Sequence, residues 1–230
     1  MAQFAARVYF AMHSLMQRRV FCLAPLFAAS LRAEDPEVWV FDRLDRLGNH
    51  AVIATGNPTL IDTPGGKAIE FNGEDDALFV DAHPLAGATA FSWEVVFRPA
   101  SGGRAEQRFF HLQETGSTNR MLFETRLIGK SWYLDSFVAS NTGQKALMDR
   151  SQLHPLDVWH HAAMVYDGRQ LRHYVNHKLE MSSDVPLSPQ SAGKCSVGVR
   201  YNKVDYFKGA IRYARFHRKA ISPSEFHSWK

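Results

Sequence analysis

From Glu34 onward, apolar and polar residues alternate over short runs, and no stretch holds the 3.6-residue rhythm of a long amphipathic helix. KAIEFNG (Lys67–Gly73) and ALFVDA (Ala77–Ala82) read as strands joined by a Gly-Glu-Asp-Asp turn. AFSWEVVFRP (Ala90–Pro99) alternates and stops at a proline, which has no N–H to offer a ladder. RFFHLQE (Arg108–Glu114), MLFETRL (Met121–Leu127) and WYLDSFVAS (Trp132–Ser140) follow. Asp157–Glu180 then divides into two runs around Asp167-Gly168, a strong turn signal because glycine takes positive φ without steric penalty. Ala162 to Val165 is apolar throughout, as in a strand covered on both faces. Leu171, His173 and Val175 share one face of the next strand, and Arg172, Tyr174 and Asn176 the other. KCSVGVRYN (Lys194–Asn202) and YFKGAIRYARFH (Tyr206–His217) complete the set. Ser222-Pro-Ser-Glu225 has capping-box spacing and predicts one short helical turn. Strands separated by glycine, asparagine and aspartate turns predict an all-β sandwich, and the lack of a linker predicts one domain over residues 34–230.

The first 33 residues differ. They hold Arg7, Arg18, Arg19 and Arg32 and no acidic residue, with an apolar run from Val20 to Leu31 and then Ala33. That is the layout of a cleaved secretory signal, and Met16 alone would start a normal one. The run is short of the roughly 20 residues a stable span needs, so no stable membrane insertion is expected once the leader is removed. Of the 27 basic residues four lie in this leader, so residues 34–230 carry 23 basic and 23 acidic residues. With no net field, nucleic acid is not an expected partner. Cys22 falls in the leader, leaving Cys195 without a disulfide partner, and Asn57-Pro58 is no glycosylation sequon. An exported bacterial protein, secreted or periplasmic, fits these features.

Four stretches, in order, resemble the laminin-G-like domains of the concanavalin A-like lectin/glucanase superfamily. They are KAIEFNGEDDALFV, AFSWEVVFRP, WHHAAMVYDGRQLRHYVNHKLE and YFKGAIRYARFHRKAISPSEF. The resemblance spans Val38 to Phe226 and implies a two-sheet antiparallel jelly roll. Relatives bind glycans or proteins, and some superfamily members cleave polysaccharides. This chain departs from the pattern in two places: Asn176-His177 replaces an Asn-Gly turn, and Ile211-Arg212-Tyr213 replaces Ile-Asp-Glu. Some relatives bind calcium near their sheet edges, and Arg212 sets a charge of the wrong sign against such a site.

Candidate chemistry follows from residue type. Sugars are held by aromatic faces and planar polar groups. Glu94, His111, Arg126, Tyr133, Tyr174 and Arg200 stand among apolar neighbours and form a glycan groove if they share one sheet face. Asp75 and Asp76, after Glu74, offer oxygen ligands for a structural calcium; no other cofactor is expected. Glu124 and Asp135 would make a carboxyl pair for glycoside hydrolysis if they faced one cleft. His111 with Arg126, Arg200 and Tyr201 has part of the arrangement of acidic-polysaccharide lyases, without their full motifs. The leading expectation is an exported lectin-like or adhesion module without catalysis, its partner a polysaccharide or glycan. A polysaccharide-degrading enzyme, lyase or glycosidase, is the first alternative and a protein-interaction domain the second.

Overall fold

A computed structural model describes residues 35–229; the leader and its proposed cleavage site lie outside the described residues. In chain order the strands are β1 (Glu37–Val40), β2 (Arg46–Leu47), β3 (His50–Thr55), β4 (Thr59–Thr63), β5 (Gly66–Asn72) and β6 (Ala77–Val80). Then come β7 (Phe91–Pro99), β8 (Glu106–Glu114), β9 (Arg120–Ile128), β10 (Ser131–Ser140), β11 (Gly143–Met148) and β12 (His154–Pro155). β13 (His160–Tyr166), β14 (Gln170–Val175), β15 (Lys178–Asp184), β16 (Gly193–Val197) and β17 (Lys208–His217) finish the series. Two antiparallel sheets result. The first runs β15-β14-β13-β7-β17-β5-β4, with β1 also on β17. The second runs β11-β10-β9-β8-β16-β6-β3-β2, with β12 on β10. The predicted all-β sandwich is the observed fold. Pro223–Glu225 forms the predicted turn, as 3-10 helix, with the Ser222 N–H donating to Glu225 Oε2 at 2.9 Å. Among the described residues no helix is long and apolar enough to cross a membrane.

Strand parity puts the large apolar side chains between the sheets. Trp93 and Phe97 of β7 point inward against Phe123 and Phe109 of the second sheet, with ring centroids 4.5 and 4.2 Å apart. Trp132, Phe110, Phe207 and Phe216 close around them, all essentially without solvent contact. Each such side chain contributes about 1.5–3 kcal/mol by burial. A buried polar bridge crosses this apolar layer: His173 of β14 points inward and its Nδ1 lies 2.9 Å from Ser136 Oγ of β10. Cys195 is buried in β16 as a small core residue.

The β13–β14 hairpin is built as its sequence predicts. Asp167 Oδ1 accepts the N–H groups of Arg169 and Gln170, and Gly168 takes φ +95°. Every residue of β13 is buried, because Ile221 and Phe226 of the C-terminal segment cover its outward face at Ala163 and Val165. At the next turn Asn176 and His177 both have positive φ, 50° and 68°, where Asn-Gly would be unstrained. His177 is held there by packing on His161 and Phe226.

The expected strand Lys194–Asn202 ends early, at Val197. Gly198 has φ +83°, and a Cβ there would sit 2.4 Å from the Phe71 ring, so the chain turns out of the sheet at a position only glycine fills. Residues 198–207 therefore form a loop. Its Tyr201 N–H donates to His111 Nδ1 at 2.9 Å, and Asp205 accepts the Arg108 N–H at 3.0 Å and pairs with the Arg108 guanidinium. The loop is stitched onto the outward face of β8, which brings Arg200 and Tyr201 over the second sheet.

Candidate functional site

Antiparallel register sets the outward residues of the second sheet in transverse rows. One row runs Phe137, Leu122, His111, Ser196, Phe79 and Ile53 across β10, β9, β8, β16, β6 and β3. On one side of it lie Asp135, Glu124 and Arg108, then Tyr133, Arg126 and Glu106. On the other side lie Ala139, Arg120, Gln113 and Lys194. Of the predicted groove, His111, Arg126, Tyr133 and Arg200 belong to this face. Glu94 and Tyr174 do not. Their strands, β7 and β14, are in the first sheet, where both side chains point outward beneath the C-terminal segment. Tyr174 packs on Phe226 at 5.2 Å, and Glu94 accepts the His227 N–H at 2.7 Å. The proposed single groove is thus two faces on opposite sides of the sandwich, because sheet membership follows strand order, which residue type does not reveal.

Glu124 and Asp135, cross-strand partners on β9 and β10, do face each other. Both are held by one cation: Arg126 Nη2 lies 2.7 Å from Asp135 Oδ2 and 3.2 Å from Glu124 Oε2. Arg126 Nη1 also reaches Glu106 at 2.5 Å, and Arg108 Nε lies 2.9 Å from Glu124 Oε2. Burial, with the charge of Asp135 added, pushes the Glu124 carboxyl up to about 7 against the pull of Arg108 and Arg126. Burial raises Asp135 as well, though Arg126 opposes it. The two carboxyls are 6% and 4% exposed. Arg126, expected to meet a glycan, instead uses its donors on the protein's own carboxylates.

The other side of the row is built differently. His111 is 1% exposed; its Nδ1 accepts the Tyr201 N–H, so the neutral ring carries its proton on Nε2, which is buried without an acceptor among the described residues. Burial, then the charges of Arg200 and Arg120, hold this histidine at about 3. Arg120 stacks over the Phe137 ring at 4.6 Å and gives Nη1–H to the Thr118 carbonyl, while its buried Nε–H finds no acceptor. Arg200 makes no side-chain hydrogen bond or ion pair among the described residues. Tyr201 packs edge-on against Phe79 at 5.7 Å. Half-buried rings at Phe137, Phe79 and Tyr201 therefore flank cationic donors. Arg120 and Phe137 were missed by the sequence reading, though stepping back by twos from Arg126 along β9 leads to Arg120 on the same face. Arg108 was hidden by a bulge between Arg108 and Phe110.

The two calcium candidates are engaged in hydrogen bonds with Asn57 and Asn72. Asp76 is buried with both oxygens engaged: Oδ1 accepts the Asn57 N–H at 2.6 Å and Oδ2 the Asn72 N–H at 2.9 Å. Asp75 Oδ1 accepts from Asn72 Nδ2. Among the described residues no three His, Cys, Asp or Glu side chains gather as a metal site. Asp76 serves as a clasp for the β5–β6 turn. Asp76→Ala is expected to lower stability by about 1–3 kcal/mol, since two backbone N–H groups lose a buried acceptor. A chelator is expected to leave the wild-type melting temperature unchanged, and a drop on chelation would restore the calcium reading. Arg212, where relatives carry aspartate, lies 5.0 Å over the Trp159 ring and donates to the Trp229 carbonyl at 2.6 Å.

The family model described as the concanavalin A-like lectin/glucanases superfamily, a laminin-G family, matches residues 72–227. The chain belongs to this family. No curated protein matches it in sequence. Among solved structures it is similar to domain 4 of AbnA, a GH43 extracellular arabinanase from Geobacillus stearothermophilus, in complex with arabinotriose. The two share 20% identity at a TM-score of 0.59, over 82% of this chain and 94% of that one. It is also similar to the binding domain of Botulinum Neurotoxin DC in complex with SialylT, with 11% identity and a TM-score of 0.60 over 83% of this chain. The binding domain of Paraclostridial Mosquitocidal Protein 1 gives 11% and 0.63. The chain spans about half the length of these last two domains (49% and 50%). Likeness at such identity establishes the fold.

Proposed function

We propose that the protein is an exported glycan-binding module without catalysis, and that the outward face of its second sheet is the binding surface. The carrying observation is that half-buried rings and cationic donors share this face: Phe137 and Phe79 stand in one transverse row, Arg120 in the next row stacks over Phe137, and the loop sets Tyr201 against Phe79 with Arg200 beside it. Aromatic faces receive the C–H surfaces of sugars, and guanidinium forks meet paired oxygens. The carbohydrate-bound structural relatives support the same reading. Glu124, titrating at about 7, has the protonation a general acid needs, which favours a glycosidase as the second reading. Its burial beneath Arg108 and Arg126 withholds it from a substrate.

The test is retention of the purified chain in affinity gels containing neutral or acidic polysaccharides, with reducing ends and unsaturated uronates followed in parallel. Retention without cleavage is expected, and Phe137→Ala is expected to weaken it by about tenfold, roughly 1.4 kcal/mol. New reducing ends or unsaturated products would establish an enzyme. Absence of retention on every glycan would move the face to a protein partner.

A further inference from the structure

The two halves of this face treat their arginines differently. Arg108 and Arg126 are matched by Glu106, Glu124, Asp135 and Asp205. Arg120 and Arg200 have no carboxylate within ion-pair distance among the described residues. Beside them, two N–H donors, His111 Nε2 and Arg120 Nε, are buried without an acceptor. An unmade hydrogen bond of this kind is expensive, and native proteins leave few of them. Glu124, whose charge reaches both arginines, already binds Arg108 and Arg126. What the corner lacks is an oxygen acceptor carrying negative charge. Space adjoins it: a hollow of about 190 Å³ opens beside Tyr201, lined by Gln113, Glu114, Thr115, Gly116 and Lys194. Gln113 is the cross-strand neighbour of both Arg120 and Lys194, and Tyr201 is the residue tied to His111. Glu114, the hollow's own acid, accepts from Asn119 Nδ2.

We propose that His111, Arg120 and Arg200 form an oxyanion subsite that takes the carboxylate or sulfate group of an acidic glycan, whose sugar ring occupies the adjoining hollow. The inference rests on the glycan-binding reading and adds the charge of the ligand to it. Arg200 acts as the mobile clamp, since it stands on the loop and is only partly buried, and Arg120 is fixed by its stack on Phe137. His111, kept neutral by its surroundings, presents Nε2–H as a donor across the working pH range.

The experiment compares binding of an oligogalacturonate, its carboxyl-reduced neutral counterpart and a sulfated oligosaccharide to the wild-type chain, Arg200→Gln and Phe137→Ala. Wild type is expected to prefer at least one acidic probe over the neutral one by about tenfold or more, with the preference falling as salt rises. Arg200→Gln is expected to abolish the preference while leaving the melting temperature in place. The acidic probe is also expected to shift the His111 Nε2–H resonance. Whether the carboxylate or the sulfate is preferred identifies the anion, and either supports the subsite. Equal binding of acidic and neutral probes, a preference that survives Arg200→Gln, or an unmoved His111 resonance would each overturn it. If the neutral probe binds and Phe137→Ala weakens it but no charge preference exists, the subsite fails and the glycan reading stands. If no probe binds, both fail.

Discussion

Acidification from pH 7 to pH 4 is expected to remove about 6 kcal/mol of stability through His111 and His173 together, against a typical total of about 5–15 kcal/mol for a domain. Both rings are 1% exposed. Burial is the largest cause of each depression. It holds His173 at about 4, with Asp149 pulling up and His154 pulling down, and His111 at about 3, with Arg200, Arg120 and His83 pulling down. A histidine whose folded pKa lies below its unfolded value stabilises the fold above about 6.5, and loses that stabilisation as pH falls toward the folded value. His83, His160, His161, His217 and His227 are all lowered, first by burial, and act with the same sign. Glu124 opposes them. Its folded pKa is raised, so its contribution is full below about 4.5, is lost as pH rises through about 7, and offsets roughly 3 kcal/mol of the acid loss. The histidines outnumber it, and acid unfolding is expected between pH 6.5 and pH 3. The check is the change in denaturant-derived stability between pH 8 and pH 4.5 in wild type and His173→Asn. The variant is expected to show a smaller change by about 2–3 kcal/mol, whatever its stability at pH 8. Parallel curves would mean that His173 does not titrate with unfolding.

The strands that carry this sandwich were legible because their side chains alternate against a solvent or a covered face. β5 to β10 and β17 fall within a residue or two of their predicted ranges, and β13 and β14 lie inside the two runs read around Asp167-Gly168. The strands that escaped, β1 to β4, β11, β12 and β15, are short or exposed edge segments whose apolar residues do not need to alternate. Parity along a strand was also readable: Leu171, His173 and Val175 do share a face, and Glu124 does meet Asp135. What no local pattern contains is which sheet a strand joins. Glu94 on β7 and Arg126 on β9 look alike in sequence, as polar residues in alternating runs, yet β7 pairs with β13 and β17 while β9 pairs with β8 and β10. The partition of the expected groove into two faces follows from that long-range pairing alone. Arg200 was read as a strand residue, and the steric demand at Gly198 puts it on a loop instead.

Glu94→Ala is expected to destabilise the protein by about 3–5 kcal/mol, because it leaves a guanidinium and a histidine facing a cavity where a buried carboxylate stood. In a domain of this size that lowers the melting temperature by roughly 10 °C. The Glu94 side chain has no solvent contact. Oε2 accepts from His161 Nε2 at 2.9 Å and from the His227 N–H at 2.7 Å; Oε1 accepts from Arg215 Nε at 2.7 Å and Nη2 at 2.6 Å. Burial alone would raise its pKa, but the bonds from His161 and His227 and the charge of Arg215 outweigh it, and the carboxyl stays ionised below its ordinary value. His161 is itself lowered by burial, so it donates as a neutral ring and the ion pair is with Arg215. Arg215 also donates to the Glu225 carbonyl at 2.6 Å. The carboxylate thus ties β7, β13 and β17 to the segment that carries Ile221, Phe226 and His227 across the sheet. Its removal is expected to expose that segment to a protease before the rest of the fold gives way. Melting within a degree or two of wild type would refute this role. Glu94→Gln separates structure from recognition: it retains shape and loses charge on the face opposite Arg120 and Arg200. Glycan retention by this variant is expected to match wild type below its melting temperature. Loss of retention in a folded Glu94→Gln protein would return Glu94 to the binding site and place a glycan on the first sheet.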